Sequence, residues 1–171
     1  QAFNLPLHDI AIGSKADLTI FNPAIEWELT TQNMVSRSKN TPFLVFDRNR
    51  NGVIDNVNEL FGDNTVGPDG RKSPNGFVAL KKYDSNKDGL ISKSDDVYKR
   101  LLLWRDNNRD GISQSQELSP LSEIVESIDL NYRDMHEVDQ HGNETLQRSK
   151  VLLLNGKKRK IFDLWLKEEP L

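Results

Sequence analysis

Three segments of this chain repeat one spacing of oxygen-bearing side chains, and that spacing constrains the fold more than any other feature. DRNRNGVIDNVNE starts at Asp47, DSNKDGLISKSDD at Asp84 and DNNRDGISQSQE at Asp106. Each puts Asp or Asn at alternate positions, a glycine sixth where a tight loop must reverse, and an acid near the twelfth. A calcium ion takes about six to eight oxygens, and a 12-residue loop supplies them from positions 1, 3, 5, 7, 9 and 12, the seventh through its backbone carbonyl. One such match is also an ordinary Asx-rich turn; three in succession make a calcium system the expectation.

The ligands follow from the count. The second loop offers Asp84, Asn86, Asp88, Leu90 through its carbonyl, and Asp95, with Ser92 suited to a bridging water. Asp95 is shorter than the usual closing Glu, which predicts reduced coordination or help from Asp96. The third loop has the fullest set: Asp106, Asn108, Asp110, Ile112 through its carbonyl, Gln114 and Glu117. In the first, Asp47, Asn49, Asn51, Val53 and Asp55 fit, but position twelve is Asn58 and Glu59 closes one residue late. A flexible calcium shell tolerates that shift better than octahedral magnesium does, and an oxygen-only set argues against zinc and copper. Rich use of Asn places the affinity at the weaker end, roughly micromolar to millimolar. Position eight, normally apolar, joins a loop to its partner. Ile54 and Ile91 hold it in the first two loops and Ser113 in the third, so the first two are expected to pair.

Local patterning around the loops predicts an α+β fold in one domain: N-terminal strands and a loop over 1–42, a calcium-loop part with short helices over 43–126, and a strand with a β-hairpin over 127–171. Ile25, Trp27 and Leu29 alternate with polar residues after an Asn22-Pro23 turn, the period of a half-buried strand, and 31–42 reads as a loop. FLVF, residues 43–46, is a strand or the last turn of a short helix. Asn75 caps a helix carrying Phe77, Leu80 and Lys81. Ser94 or Asp95 caps another, with Val97, Leu101 and Trp104 on one face, and Ser119-Pro120 starts a third with Leu121, Ile124 and Val125 buried. Ile128, Leu130 and Tyr132 alternate as a strand. Asn155-Gly156 predicts a type I′ hairpin turn between TLQRSKVLLL and KKRKIFDLWL.

Composition narrows the function classes. A length of 171 residues suits one domain, and 36% hydrophobic with 29% charged residues is polar yet sufficient for a small core. The net charge of -3 carries no global basic field for nucleic acid, and KKRK at 157–160 reads as a solvated hairpin end. With no cysteine there is no disulfide framework or thiol chemistry. No apolar run reaches the ~20 residues that span a bilayer. The opening QAFNLPLHDI is not a leader, so the expectation is a chain whose signal was removed or an excised module. His8, His136 and His141 are too scattered for a site, and no nucleophile or zinc-hydrolase motif accompanies them.

The words DRNRNGVIDNVNELFGDNT, NGFVALKKYDSNKDGLIS and LLLWRDNNRDGISQSQEL, followed by SIDLNY, resemble the EF-hand-like calcium-binding modules of RTX-type secreted bacterial proteins, especially their self-processing modules. The resemblance covers about residues 43–132. DSNKDGLISKSDD alone also looks like half of a dockerin repeat. The self-processing members imply calcium-triggered folding that drives cleavage of an Asp-Pro bond at the module's leading edge. This chain contains no Asp-Pro. The expected function is therefore a calcium-stabilised, non-catalytic module of an exported bacterial protein, secreted or at the cell surface, meeting another protein or a surface. Calcium-dependent self-cleavage is the alternative.

Overall fold

The computed structural model describes residues 17–21, 42–63, 65–108, 111–138 and 143–165. Its backbone is dominated by antiparallel strands: β1 (Asp17–Phe21), β2 (Phe43–Val45), β3 (Leu90–Ser92), β4 (Leu102–Trp104), β5 (Leu118–Pro120), β6 (Val125–Asp129), β7 (Arg133–Val138), β8 (Glu144–Leu153) and β9 (Lys158–Trp165). Hydrogen bonds link them in the order β3-β6-β8-β9-β1-β2-β4-β5, with β7 beside β8. Strand β8 is the hub, carrying β9 along one edge and β7 then β6 along the other. The joint between β1 and β2 is narrow, a single aligned pair at Thr19 and Phe43. The sequence-predicted strand at 25–29 and the loop at 31–41 lie outside the described residues.

This architecture corrects the α+β expectation. Among the described residues the only α-helix is α1 (Gly76–Lys81), which forms as its cap predicts: Asn75 Oδ1 accepts the Val78 N–H at 2.9 Å, Phe77 and Leu80 are buried, and Lys81 is exposed. The helix expected over Val97–Trp104 shrinks to a 3-10 turn, Tyr98–Arg100, and the chain then extends into β4. Periodicity explains the outcome. Leu101 and Leu103 enter the main core with Leu44, while Leu102 and Trp104 join a second cluster with Phe43, Val45 and Ile54. Residues i and i+2 stand about 200° apart on a helix but share one face of a strand, so only a strand buries both sets.

The exit helix after Ser119-Pro120 is likewise replaced, by edge strand β5, a 3-10 turn at Leu121–Glu123 and then β6. An edge strand tolerates Pro120 because the proline's missing N–H need not enter the ladder. Leu121 and Val125 are still buried, through a different geometry from the one their helical spacing implied. The FLVF run resolves as strand β2, and Ile128 and Leu130 are buried in and just beyond β6.

The β8–β9 hairpin forms where Asn155-Gly156 places it, but with another turn. Gly156 N–H donates to the Leu153 carbonyl at 2.9 Å and Leu153 N–H to the Lys157 carbonyl at 2.9 Å. Only Gly156 has positive φ, +76°, whereas a type I′ turn requires it at both central residues. This is a three-residue loop, a type I turn followed by a glycine bulge.

Tyr98 ties the 3-10 turn to β6 by donating its hydroxyl to the Val125 carbonyl. Burial pushes the phenol pKa up, and the charge of Glu126 adds to the shift. The folded chain therefore holds this proton to higher pH than the unfolded chain. The stability involved is complete below about pH 10, the ordinary phenol value, and is lost as pH rises beyond it. Tyr98→Phe is expected to flatten the alkaline limb of a stability–pH profile while costing about 1 kcal/mol near neutrality. Urea unfolding between about pH 8 and about pH 11 measures both, and an unchanged alkaline limb would refute the assignment.

Candidate metal centre

The three loops share a local construction that follows from their sequence. In each, the second carboxylate oxygen of the first Asp accepts the N–H of the sixth-position glycine: Gly52 to Asp47 at 2.9 Å, Gly89 to Asp84 at 3.0 Å and Gly111 to Asp106 at 3.1 Å. The three glycines have φ of +84°, +82° and +72°, the left-handed region that a side chain disfavours. Arg50 and Lys87, the fourth residues of the first two loops, are left-handed as well, at φ 61° and 59°. Within these turns the side-chain oxygens of Asn49, Asn51, Asn86 and Asp88 each accept the backbone N–H two residues ahead.

The closing acid is buried in every loop, as are the first acids Asp84 and Asp106 of the second and third. Glu59, Asp95 and Glu117 are only 2%, 3% and 4% exposed. Each bridges the backbone N–H groups of the second and ninth residues with its two oxygens. Glu59 accepts from Arg48 at 3.0 Å and Asp55 at 2.9 Å, Asp95 from Ser85 at 2.8 Å and Ser92 at 3.0 Å, and Glu117 from Asn107 at 2.7 Å and Gln114 at 3.4 Å. Glu59, one residue late in sequence, thus holds the same place as the others, its second oxygen also accepting the Asn56 N–H at 3.2 Å. The short Asp95 makes both bonds alone, and Asp96 is exposed.

The remaining candidates close on one another across the loops. Asn49 and Asn51 donate their amides to Asp55 at 3.4 and 2.8 Å, Asn86 donates to Asp88 at 2.9 Å, and Asn108 to Gln114 at 3.3 Å. Val53 and Leu90 are half-buried, Ile112 is exposed, and Asp110 lies outside the described residues. Among the described residues no three His, Cys, Asp or Glu side chains converge as a metal cluster. The candidate sets draw instead on Asn amides and backbone carbonyls. Hard oxygen donors, with one buried acid fixed against the loop backbone, fit a calcium ion by chemistry and leave softer metals no nitrogen or sulfur.

The loop arms are strands. Phe46 N–H donates to the Glu59 carbonyl at 2.8 Å, and Arg105 N–H to the Glu117 carbonyl at 2.9 Å, so the residue before each loop pairs with its closing acid. The first loop then returns against β2 through a Val45–Leu60 bridge, and the third through the β4–β5 ladder. Only the second loop is entered from a helix, α1; it contains β3 and leaves toward the 3-10 turn Tyr98–Arg100.

The expected pairing of the first two loops through Ile54 and Ile91 is overturned. Ile91 pairs with Ile128 of β6, while Ile54 meets Ser113 of the third loop. The Ile54 N–H donates to Ser113 Oγ at 2.6 Å, and that hydroxyl reaches back to the Ile54 carbonyl at 3.4 Å. The serine that broke the apolar rule is thus the connector: a hydroxyl can both accept and donate, standing in for a strand bridge. Ser113→Ala leaves a buried N–H without its acceptor and is expected to cost about 1–3 kcal/mol in urea unfolding. A loss below about 0.5 kcal/mol would show that the first and third loops do not depend on this contact.

Asp163 went unremarked in the sequence. It is fully buried in β9 and accepts the Gly76 N–H at the start of α1 at 2.8 Å. Its signal was a lone carboxylate inside the apolar run IFDLW, at a position whose neighbours on the same face are inward. His136 is exposed and pairs with Glu144 at 3.3 Å, which leaves it a surface residue. His8 and His141 lie outside the described residues.

A family model described as the SPM domain matches residues 14–167. Among curated proteins, the iron-regulated protein FrpA of Neisseria meningitidis serogroup C is 42% identical over 129 residues, which is 75% of this chain and 12% of that protein. A dihydroorotase of Geobacillus sp. (strain WCH70) is 46% identical over 43 residues, 25% of this chain and 10% of the enzyme. The chain therefore spans about an eighth or less of the length of these relatives. Among the described residues no helix is long and apolar enough to cross a membrane.

Proposed function

The chain belongs to the SPM domain family, and from that premise we propose that it is a calcium-binding, calcium-stabilised module of an exported bacterial protein, without bond cleavage by its own residues. The observation that carries this reading is the threefold recurrence of a buried closing acid tied to the second and ninth residues of an Asp-capped, glycine-reversed loop. One such loop is a turn; three that share a hydrogen-bond plan and carry oxygen-bearing residues at one spacing suit a hard divalent cation. Asp47, Asn49, Asn51, Val53, Asp55 and Glu59 would hold one ion. Asp84, Asn86, Asp88, Leu90 and Asp95 would hold a second, and Asp106, Asn108, Asp110, Ile112 and Glu117 a third. The ions offset the charge of the loop acids and join loop ordering to folding of the sheet, which suits a protein that meets abundant calcium only outside the cell.

Calorimetric calcium titration of the module and of Asp47→Ala, Asp84→Ala and Asp106→Ala tests this directly. Each variant is expected to lose about one ion; uptake unchanged in all three sinks the reading. The family match favours a second reading, calcium-triggered cleavage of an Asp-Pro bond preceding the module. Incubating the module joined to its native upstream segment, with and without calcium, separates the two. A calcium-dependent shorter product with a new terminus decides for cleavage.

A further inference from the structure

Phe46 and Tyr83 immediately precede the first acids of the first and second loops, and their rings meet edge to face at 5.6 Å. Tyr83 also packs edge-on against the buried Phe61 at 6.0 Å. Two arginines converge on this aromatic group. The Arg48 guanidinium carbon lies 5.6 Å from the Phe46 ring centre and 5.8 Å from that of Tyr83, and the Arg100 carbon lies 4.4 Å from Phe46. Neither arginine has an acid within ion-pair distance among the described residues. Nε and Nη2 of Arg48 are buried and have no hydrogen-bond acceptor among the described residues.

Stacking on rings explains the faces of these guanidinium groups and the packing of their stems. It does not explain the Arg48 edge. Exposed Arg100 keeps its donors in water, whereas Arg48 withdraws two charged donors from water without matching them, an arrangement that is costly unless a partner supplies acceptors. Nε–H and Nη2–H lie side by side on one edge of the guanidinium plane, the fork that takes both oxygens of a carboxylate.

We infer that Arg48, with Arg100 against the same Phe46 ring, is a binding site for a carboxylate, which enters edge-on against Phe46 and Tyr83. A planar monoanion uses the two in-plane donors and lays its stem on the rings. The same fork can take two oxygens of a phosphate, so inorganic phosphate is the competing anion that the titration must separate. The carboxylate belongs to a small free acid or to an acidic side chain of a polypeptide. Either would dock beside the entry points of the first two loops.

Arginine Nε–H resonances of the whole chain in calcium buffer, recorded at constant ionic strength, read this site directly. The titrants are acetate, blocked aspartate (its amino and main-chain carboxyl groups amidated), inorganic phosphate and chloride. The Arg48 resonance, identified by its absence from Arg48→Lys, is expected to shift saturably with acetate or blocked aspartate. Tighter binding of blocked aspartate assigns a polypeptide source, and tighter binding of acetate a small acid. Arg100→Gln is expected to weaken binding about fivefold, the factor corresponding to about 1 kcal/mol of charge interaction. No saturable shift with either carboxylate, or saturation by phosphate alone, overturns the assignment.

Discussion

Chelating calcium from the module is expected to lower its melting temperature by roughly 15–30 °C, the largest single change available to this protein. On the proposed reading, at a calcium concentration about a hundred times Kd, each occupied loop would add about 2.7 kcal/mol to the folded state. Three loops give about 8 kcal/mol, and a chain of this size shifts by about 2–4 °C per kcal/mol. The structure indicates why loss at the loops would reach the core. Ile54 of the first loop and Leu118 at the close of the third pack with Trp104 and Val45 over one face of the β2-β4-β5 arm. Differential scanning calorimetry with calcium, with chelator and with magnesium in place of calcium measures the effect. Melting within about 2 °C in all three would remove calcium from the account of stability.

Glu117→Ala carries the second large effect. One oxygen of this acid accepts from Asn107 and Asn108 at 2.7 and 3.4 Å, and the other from Gln114 and the Trp104 indole at 3.4 Å each. Truncation removes the acceptor from four donors in a buried site and also the acid that closes the third loop. The expected cost is about 3–5 kcal/mol in calcium buffer, by urea unfolding. Glu117→Gln keeps one carbonyl acceptor and is expected to cost roughly half as much. Equal losses for the two variants would mean that packing against Trp104, and not the carboxylate's hydrogen bonds, sets the effect.

The second variant also bears on the link between the loops. With Glu117 displaced, the third loop loses its grip on its own second and ninth residues, and Ser113 is carried with them. The expected consequence is a weaker hold on Ile54 and weaker calcium binding at the first loop, whose own ligands are untouched. Coupling of this kind would run through one hydroxyl rather than through a shared helix.

What the sequence determined by itself was whatever short-range hydrogen bonding decides. The five-residue step from Asp to Gly predicts a loop whose acid caps the glycine N–H, and all three loops form it. Asn75 specifies the start of α1 because its own side chain meets a donor three residues ahead. Asn155-Gly156 locates the hairpin, although the turn that forms needs positive φ only at the glycine. Tertiary structure decided the elements whose local pattern serves two readings. The Val97, Leu101 and Trp104 spacing suits a helix, but strand pairing with Phe43, Leu44 and Val45 on one side and Leu118, Ser119 and Pro120 on the other buries both faces of Leu102–Trp104. The loop partners were settled the same way: Ile91 is taken by Ile128, and Ser113 then serves Ile54 across 59 residues of chain. A side chain's neighbours within a dozen residues are set by spacing, whereas its partners across a sheet depend on which competing burial is most complete, and that is a property of the whole fold.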